Sequence, residues 1–196
     1  MKTKLISFVL ILMLSAPMAF AQSADKGKTA FAILGGVNMQ NLNGKDISGN
    51  KLTNDMIVGY HVGVNIQIPL VPEFYFQPGL LFSTKGAKTL TSTYKLSYIE
   101  LPLNFVYKGL LGSGFVMVGF GPYVAYGIGG KVATIFGELK PFDAGGNIFA
   151  GYETAGGIFF QVNAQLGMLK INPTGVSSDK TAVKNTGFGL SLGYRF

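Results

Sequence analysis

The last eleven residues, Thr186 to Phe196, constrain the fold more than any other stretch of the chain. Phe188, Leu190, Leu192, Tyr194 and Phe196 take every second place, and Gly187, Gly189, Ser191, Gly193 and Arg195 fill the others. Successive side chains of a β-strand point to opposite faces, so this segment has one apolar face and one small or polar face. A soluble sheet needs a second layer over such an apolar face. In a bilayer the hydrocarbon itself covers it.

The same period of two recurs upstream. Val58, Tyr60, Val62, Val64, Ile66 and Ile68 stand against Gly59, His61, Gly63, Asn65 and Gln67. Further segments centre on Phe31 to Met39, Phe74 to Phe82, Ile99 to Tyr107, Val116 to Tyr126, Ile148 to Tyr152 and Ile158 to Met168, which with the C-terminal strand makes eight. Long polar stretches, Asn41 to Asp55, Gly86 to Thr93, Gly129 to Asp143 and Lys170 to Asn185, follow the odd-numbered segments; short turns follow segments two, four and six. An even strand number with short turns at one end and longer loops at the other is the layout of bacterial outer-membrane barrels. Closure also leaves no sheet edge unpaired, as a lipid environment demands. The fold class read from the sequence is therefore all-β, an eight-stranded antiparallel transmembrane β-barrel.

The N-terminus supplies the route to that compartment. Met1-Lys2-Thr3-Lys4 is a cationic start, Leu5 to Leu14 is apolar apart from Ser7, and Ala19-Phe20-Ala21 is a small-x-small cleavage pattern. Residues 1–21 read as a cleaved signal peptide and residues 22–196 as one barrel domain, with Gln22 as the mature start. The apolar run is shorter than the about 20 residues of a membrane-spanning helix. The chain has no Cys, which removes disulfides, thiolate metal sites and a lipoprotein anchor. Part of the formal charge of +7 leaves with Lys2 and Lys4; the rest is scattered over termini and loops, with no basic run that reads as a nucleic-acid surface.

Charge decides which face meets lipid. The apolar stripes carry no ionised residue in their central parts, whereas the alternate positions hold His61, Glu100 and Glu153, with Lys85, Lys108 and Arg195 towards strand ends. A charge on the lipid face near mid-membrane costs about 2–4 kcal/mol, so these groups point inward. A soluble barrel with an apolar interior would invert every stripe and expose the apolar face of the second segment to water. The expected site is a lumen network of His61, Lys85, Glu100, Lys108, Glu153 and Arg195, in which Glu100 takes basic partners among Lys85, Lys108 and Arg195. An eight-stranded bore is just wide enough for side chains to fill it. Tyr75, Met117 and Phe159 add inward bulk, which disfavours a diffusion porin and leaves room for a narrow or gated conduit.

No motif points to chemistry. His61 is the chain's single His and has no second metal ligand at a defined spacing. Ser83 and Glu100 lack the context of a nucleophile with its base. No catalytic, cofactor or metal site is expected. Pro78, Pro102 and Pro122 fall within strands, where a missing ladder donor predicts local bulges or changes of tilt. Tyr60, Tyr107, Tyr126, Tyr152, Tyr194 and Phe196 are candidates for the aromatic girdles at the membrane boundaries.

Tyr98-Ile99-Glu100-Leu101-Pro102-Leu103-Asn104-Phe105-Val106-Tyr107-Lys108 resembles the Y-x-E-x-P-L-x-x-x-x-K run of the PorT-like outer-membrane β-barrel family, common in Bacteroidetes. Gly119-Phe120-Gly121-Pro122-Tyr123 is similar in style to the next strand of that family, and Asn104 departs from the apolar residue expected after Pro-Leu. The resemblance implies an outer-membrane barrel and, through the founding member of that family, a link to protein secretion across the membrane. Phe196 resembles the terminal aromatic that the barrel-assembly machinery reads. The expectation from sequence is a non-enzymatic outer-membrane barrel with periplasmic termini, embedded in outer-membrane lipid, in a structural or interaction role such as an accessory subunit of a larger envelope complex. A narrow channel is the alternative, and a lipid-modifying enzyme the least favoured.

Overall fold

The computed structural model describes residues 28–45, 49–88, 93–130, 140–171 and 182–196. The signal peptide and cleavage point expected from the sequence lie outside the described residues. Eight strands follow in chain order: β1 (Ala30–Lys45), β2 (Ile57–Val71), β3 (Phe74–Lys88), β4 (Thr93–Leu111), β5 (Gly114–Gly129), β6 (Phe142–Glu153), β7 (Ile158–Gly167) and β8 (Ala182–Arg195). Each pairs antiparallel with its sequence neighbours, and β1 pairs with β8, so the sheet closes into a barrel.

The alternation expected from the sequence sets the two faces. Along β2, Val58, Tyr60, Val62 and Val64 are exposed while Ile57, Gly59, His61 and Asn65 are buried. Along β8, Phe188, Leu190, Leu192 and Tyr194 are exposed while Gly187, Gly189, Ser191 and Arg195 are not. Exposed apolar residues on the outside and buried polar residues within are the reverse of a soluble barrel, and they match a lipid-facing wall.

Several strands run further than the sequence indicates. β1 continues through Lys45, β3 through Lys88, β6 begins at Phe142 and β8 at Ala182, all inside stretches read as loops. β4 has 19 residues, about twice the 9–11 that cross a bilayer. Above the hydrocarbon the outward residues become Asn, Thr and Lys, so the apolar signal of the stripe ends before the strand does. The inward residues there, Leu42, Ala87 and Val183, pack with Ile171 as a small apolar cap over that end of the bore.

Pro78, Pro102 and Pro122 do not create the expected bulges. Beside each proline the ladder skips two positions, and the register on either side is the same, as where Asn65↔Gly79 is followed by Ile68↔Phe76. A missing N–H interrupts pairing without adding a residue. The register shifts lie instead at Pro69/Val71 and Ser97/Tyr98.

The three short turns and the described N- and C-terminal ends share one end of the barrel. Gly112 (φ 63°) serves the β4–β5 turn, whereas Glu73 (φ 66°) takes the same left-handed region in the β2–β3 turn without being glycine. Tyr107, Tyr152, Tyr194 and Phe196 sit at this end and Tyr60 and Tyr126 towards the other, all on the outward face. Rings meet in pairs: Phe74 with Tyr107 at 5.3 Å and Tyr194 with Phe196 at 5.0 Å.

Candidate functional site

The site is the lumen itself, and its inward stripes divide it into layers. At the turn end, Glu153 at the end of β6 accepts from Lys108 Nζ at 2.6 Å and from Arg195 Nε at 2.8 Å. Arg195 also donates through Nη1 to Asn65 Oδ1 (3.0 Å) and through Nη2 to Gln77 Oε1 (3.5 Å), which takes a further bond from Gln67 Nε2 at 2.9 Å. The guanidinium lies 5.2 Å from the Phe159 ring centre, and Lys108 Nζ lies 4.7 Å from that of Phe115. A planar five-donor group can hold one carboxylate and two amides from different strands at once, which an ammonium cannot do in one plane.

Above this layer Ala32, Leu34, Val106, Met117, Phe149 and Phe159 form an apolar plug across the bore. Two of its rings fit because the ladder partner is glycine. Gly119 pairs with Phe149, and Gly193 with Phe159, and a Cβ on either glycine would collide with the ring opposite.

Towards the loop end, Lys85 is 0% exposed and lies 3.2 Å from Glu100 Oε1 and 3.5 Å from Asp143 Oδ2. Tyr123 OH (3.1 Å) and Asn185 Nδ2 (2.9 Å) donate to the same Asp143 oxygen, and Gln165 Nε2 donates to Glu100 Oε2 at 2.8 Å. The ammonium stands 4.4 Å from the Tyr123 ring centre and 5.4 Å from that of Tyr98. Fully buried charges persist only when paired and hydrogen-bonded; here each ion is paired and hydrogen-bonded, while Glu100 Oε1 and Asp143 Oδ1 accept no hydrogen bond.

The residues expected as one network thus fall into two. Lys85 and Glu100 close one end; Lys108, Glu153 and Arg195 close the other. Of the basic partners expected for Glu100, the structure brings only Lys85 to it. Glu100 and Lys108 lie on the same strand, eight residues apart, a separation of roughly 26 Å along β-structure. By formal charge the loop-end group has one carboxylate in excess and the turn-end group one cation. Asp143, central to the first group, was missed because its alternation partner Phe142 stands alone at the edge of a polar stretch.

His61 joins neither group. Its Nε2 lies 2.7 Å from Ser191 Oγ, two strands away across β1. Asn38 Nδ2 donates weakly to Ser83 Oγ at 3.4 Å. These side chains line a chamber of about 60 Å³ between the ion-pair groups. Several buried side-chain atoms there, including Asn38 Oδ1, Asn104 Oδ1, Asn147 Nδ2 and Asn163 Oδ1, have no protein partner. A water needs about 10–15 Å³ of such space, so the chamber has the volume and polarity for a few of them.

A serine hydroxyl against a histidine is the geometry that activates a nucleophile. Here both groups are buried in a space far smaller than the about 300–1,000 Å³ of substrate pockets. Among the described residues no group of His, Asp or Glu comes together that could hold a metal ion.

A family model described as outer membrane protein beta-barrel domain matches residues 20–171. Among solved structures the fold is similar to that of the outer membrane protein OprG from Pseudomonas aeruginosa, with a TM-score of 0.52 at 13% identity, over 88% of this chain and 98% of that one. It is also similar to Ail, the attachment invasion locus protein of Yersinia pestis, solved with the heparin analogue sucrose octasulfate. There the TM-score is 0.48 at 14% identity, over 87% of this chain and 100% of that one. None of the curated proteins matches the chain. At these identities the solved structures bear on the fold alone.

Proposed function

The chain belongs to the family of the outer membrane protein beta-barrel domain, and from that premise we propose that it is a non-enzymatic structural or interaction barrel, an accessory subunit of an envelope complex in secretion or assembly. The observation that carries this reading is the filled lumen. Two ion-pair groups, an apolar plug and an apolar cap occupy the bore in succession, so its surfaces and loops are what it offers to other molecules. The Glu100-Leu101-Pro102-Leu103 strand supports a place among the PorT-like barrels of Bacteroidetes, with their link to secretion. Short turns at the end that carries the described termini support periplasmic termini, with residues 1–21 removed on export.

Affinity purification from native outer membranes in mild detergent, followed by mass spectrometry, tests the proposal. Stoichiometric co-elution of one envelope assembly is the expected result. Recovery of a solitary barrel under conditions that preserve other membrane complexes contradicts the accessory role.

A narrow or gated small-solute channel is the second reading, favoured by the chamber of about 60 Å³ and its unpartnered polar atoms. It requires both ion-pair groups to open together.

A further inference from the structure

At the loop end, the outward stripes change chemistry in the same order on several strands. On β1 the stripe runs Val37, Met39, Asn41, Asn43, Lys45; on β8 it runs Leu190, Phe188, Thr186, Lys184; on β4, Ile99, Ser97, Lys95. Lys140 and Lys170, both exposed, flank β6 and β7 at that same end. Apolar residues give way to small polar ones and then to an ammonium, four to six residues beyond the last apolar one.

Among the described residues these cations make no ion pair; the ion pairs are made by Lys85, Lys108 and Arg195, all inside the bore. Asp55 is the exposed acid at the loop end among them. Lys45 stands directly opposite Lys51 in an isolated antiparallel bridge, and it is the diagonal neighbour of Lys184 across the β1–β8 ladder. Like charges opposite one another repel, so such a cluster favours an anion beside it. The turn end differs. Its outward stripes finish on Phe74, Tyr107, Tyr194 and Phe196, and its exposed cation among the described residues is Lys28 ahead of β1.

We propose that the lysine collar binds phosphate-bearing glycolipid headgroups of the outer leaflet, and so fixes the barrel's depth and its lipid shell. The inference rests on the reading of the loop end as external. The lysines continue the stripes that face hydrocarbon and are spread over β1, β4, β6, β7 and β8, so they meet a ring of surrounding lipid side-on. A soluble polyanion docking from above would call for charge gathered over the mouth, where, among the described residues, the apolar cap sits. Lysine suits the task, because its long flexible stem lets the ammonium reach headgroup phosphates around the barrel. Juxtamembrane cations are drawn to anionic headgroups strongly enough to change affinity roughly fivefold each.

Purified barrel in non-ionic detergent micelles, titrated with lipid A and read by native mass spectrometry, tests this. Wild type is expected to retain lipid A, K45Q and K184Q to weaken retention roughly fivefold each, and the K45Q/K95Q/K184Q variant to lose it. Lipid A stripped of its phosphates is expected not to bind, and Lys28→Gln, at the other end, to match wild type. These lysines make no ion pair inside the barrel, and heat-resistant migration in gels confirms that each variant is folded. Equal binding of dephosphorylated lipid A, or full retention by the triple variant, overturns the proposal. So does tighter binding of a soluble sulfated oligosaccharide through the same lysines, which would make the collar a receptor for free polyanions. Micellar lipid binding depends on neither a partner complex nor conductance, so its failure leaves the accessory role untouched.

Discussion

Gly119 stands directly opposite Phe149 in the β5–β6 ladder, and the Phe149 ring occupies the space a Gly119 side chain would need. The pair builds the apolar plug from one large and one absent side chain. Gly119→Val is expected to destabilise the barrel by about 1–3 kcal/mol, the range for overpacking a filled interior. The nearest atoms are all from the Phe149 side chain, so G119V with Phe149→Ala should recover part of the loss. Urea unfolding in lipid vesicles measures both; additive losses in the double variant would contradict the fit.

Lys85 holds two carboxylates that have no other cation within ion-pair distance among the described residues. Lys85→Met leaves Glu100 and Asp143 buried without it, and a loss of about 3–5 kcal/mol is expected from breaking such a group. Replacing all three by apolar residues of similar volume should recover most of that stability. A triple variant as unstable as the single one would show that the ions contribute more than mutual neutralisation.

Arg195 reaches Glu153, Asn65 and Gln77 from three other strands. Arg195→Lys keeps the charge but cannot make these bonds in one plane, and is expected to cost about 2 kcal/mol. Unchanged unfolding would mean that charge alone matters at the turn end.

The outward stripe is depth-dependent. Arg in place of Leu190, which is 58% exposed near the middle of β8, is expected to cost about 2–4 kcal/mol. Arg in place of Ser97, on the outward face between Ile99 and Lys95, should cost about 0–1 kcal/mol. Insertion yields from unfolded protein into vesicles distinguish the two. Equal yields would refute the assignment of these stripes to lipid.

What was legible in the sequence follows from what alternation can encode. Period two marks both faces of a strand at once, so Val58 to Ile68 and Phe188 to Phe196 revealed their outward and inward residues without any partner. It weakens where lipid ends, which is why Asp143, Val183 and Asn185 read as loop although they are inward strand residues. Inward charges were visible as charges, but their pairing was not. Lys85 meets Asp143, 58 positions away, through the register and tilt of the closed sheet, and no local pattern carries that. Ser191 was hidden for the same reason, since its contact with His61 spans β1.

Side chains close this bore at both ends, through Lys85 with Glu100 and Asp143 and through Glu153 with Lys108 and Arg195. Reconstitution of wild-type barrel into planar bilayers, with folded protein confirmed beforehand, tests this closure most directly. The two ion-pair groups and the plug between them predict an electrically silent membrane at moderate voltage. A steady ohmic current from the unmodified protein would contradict the closed lumen and make the conduit reading the better one.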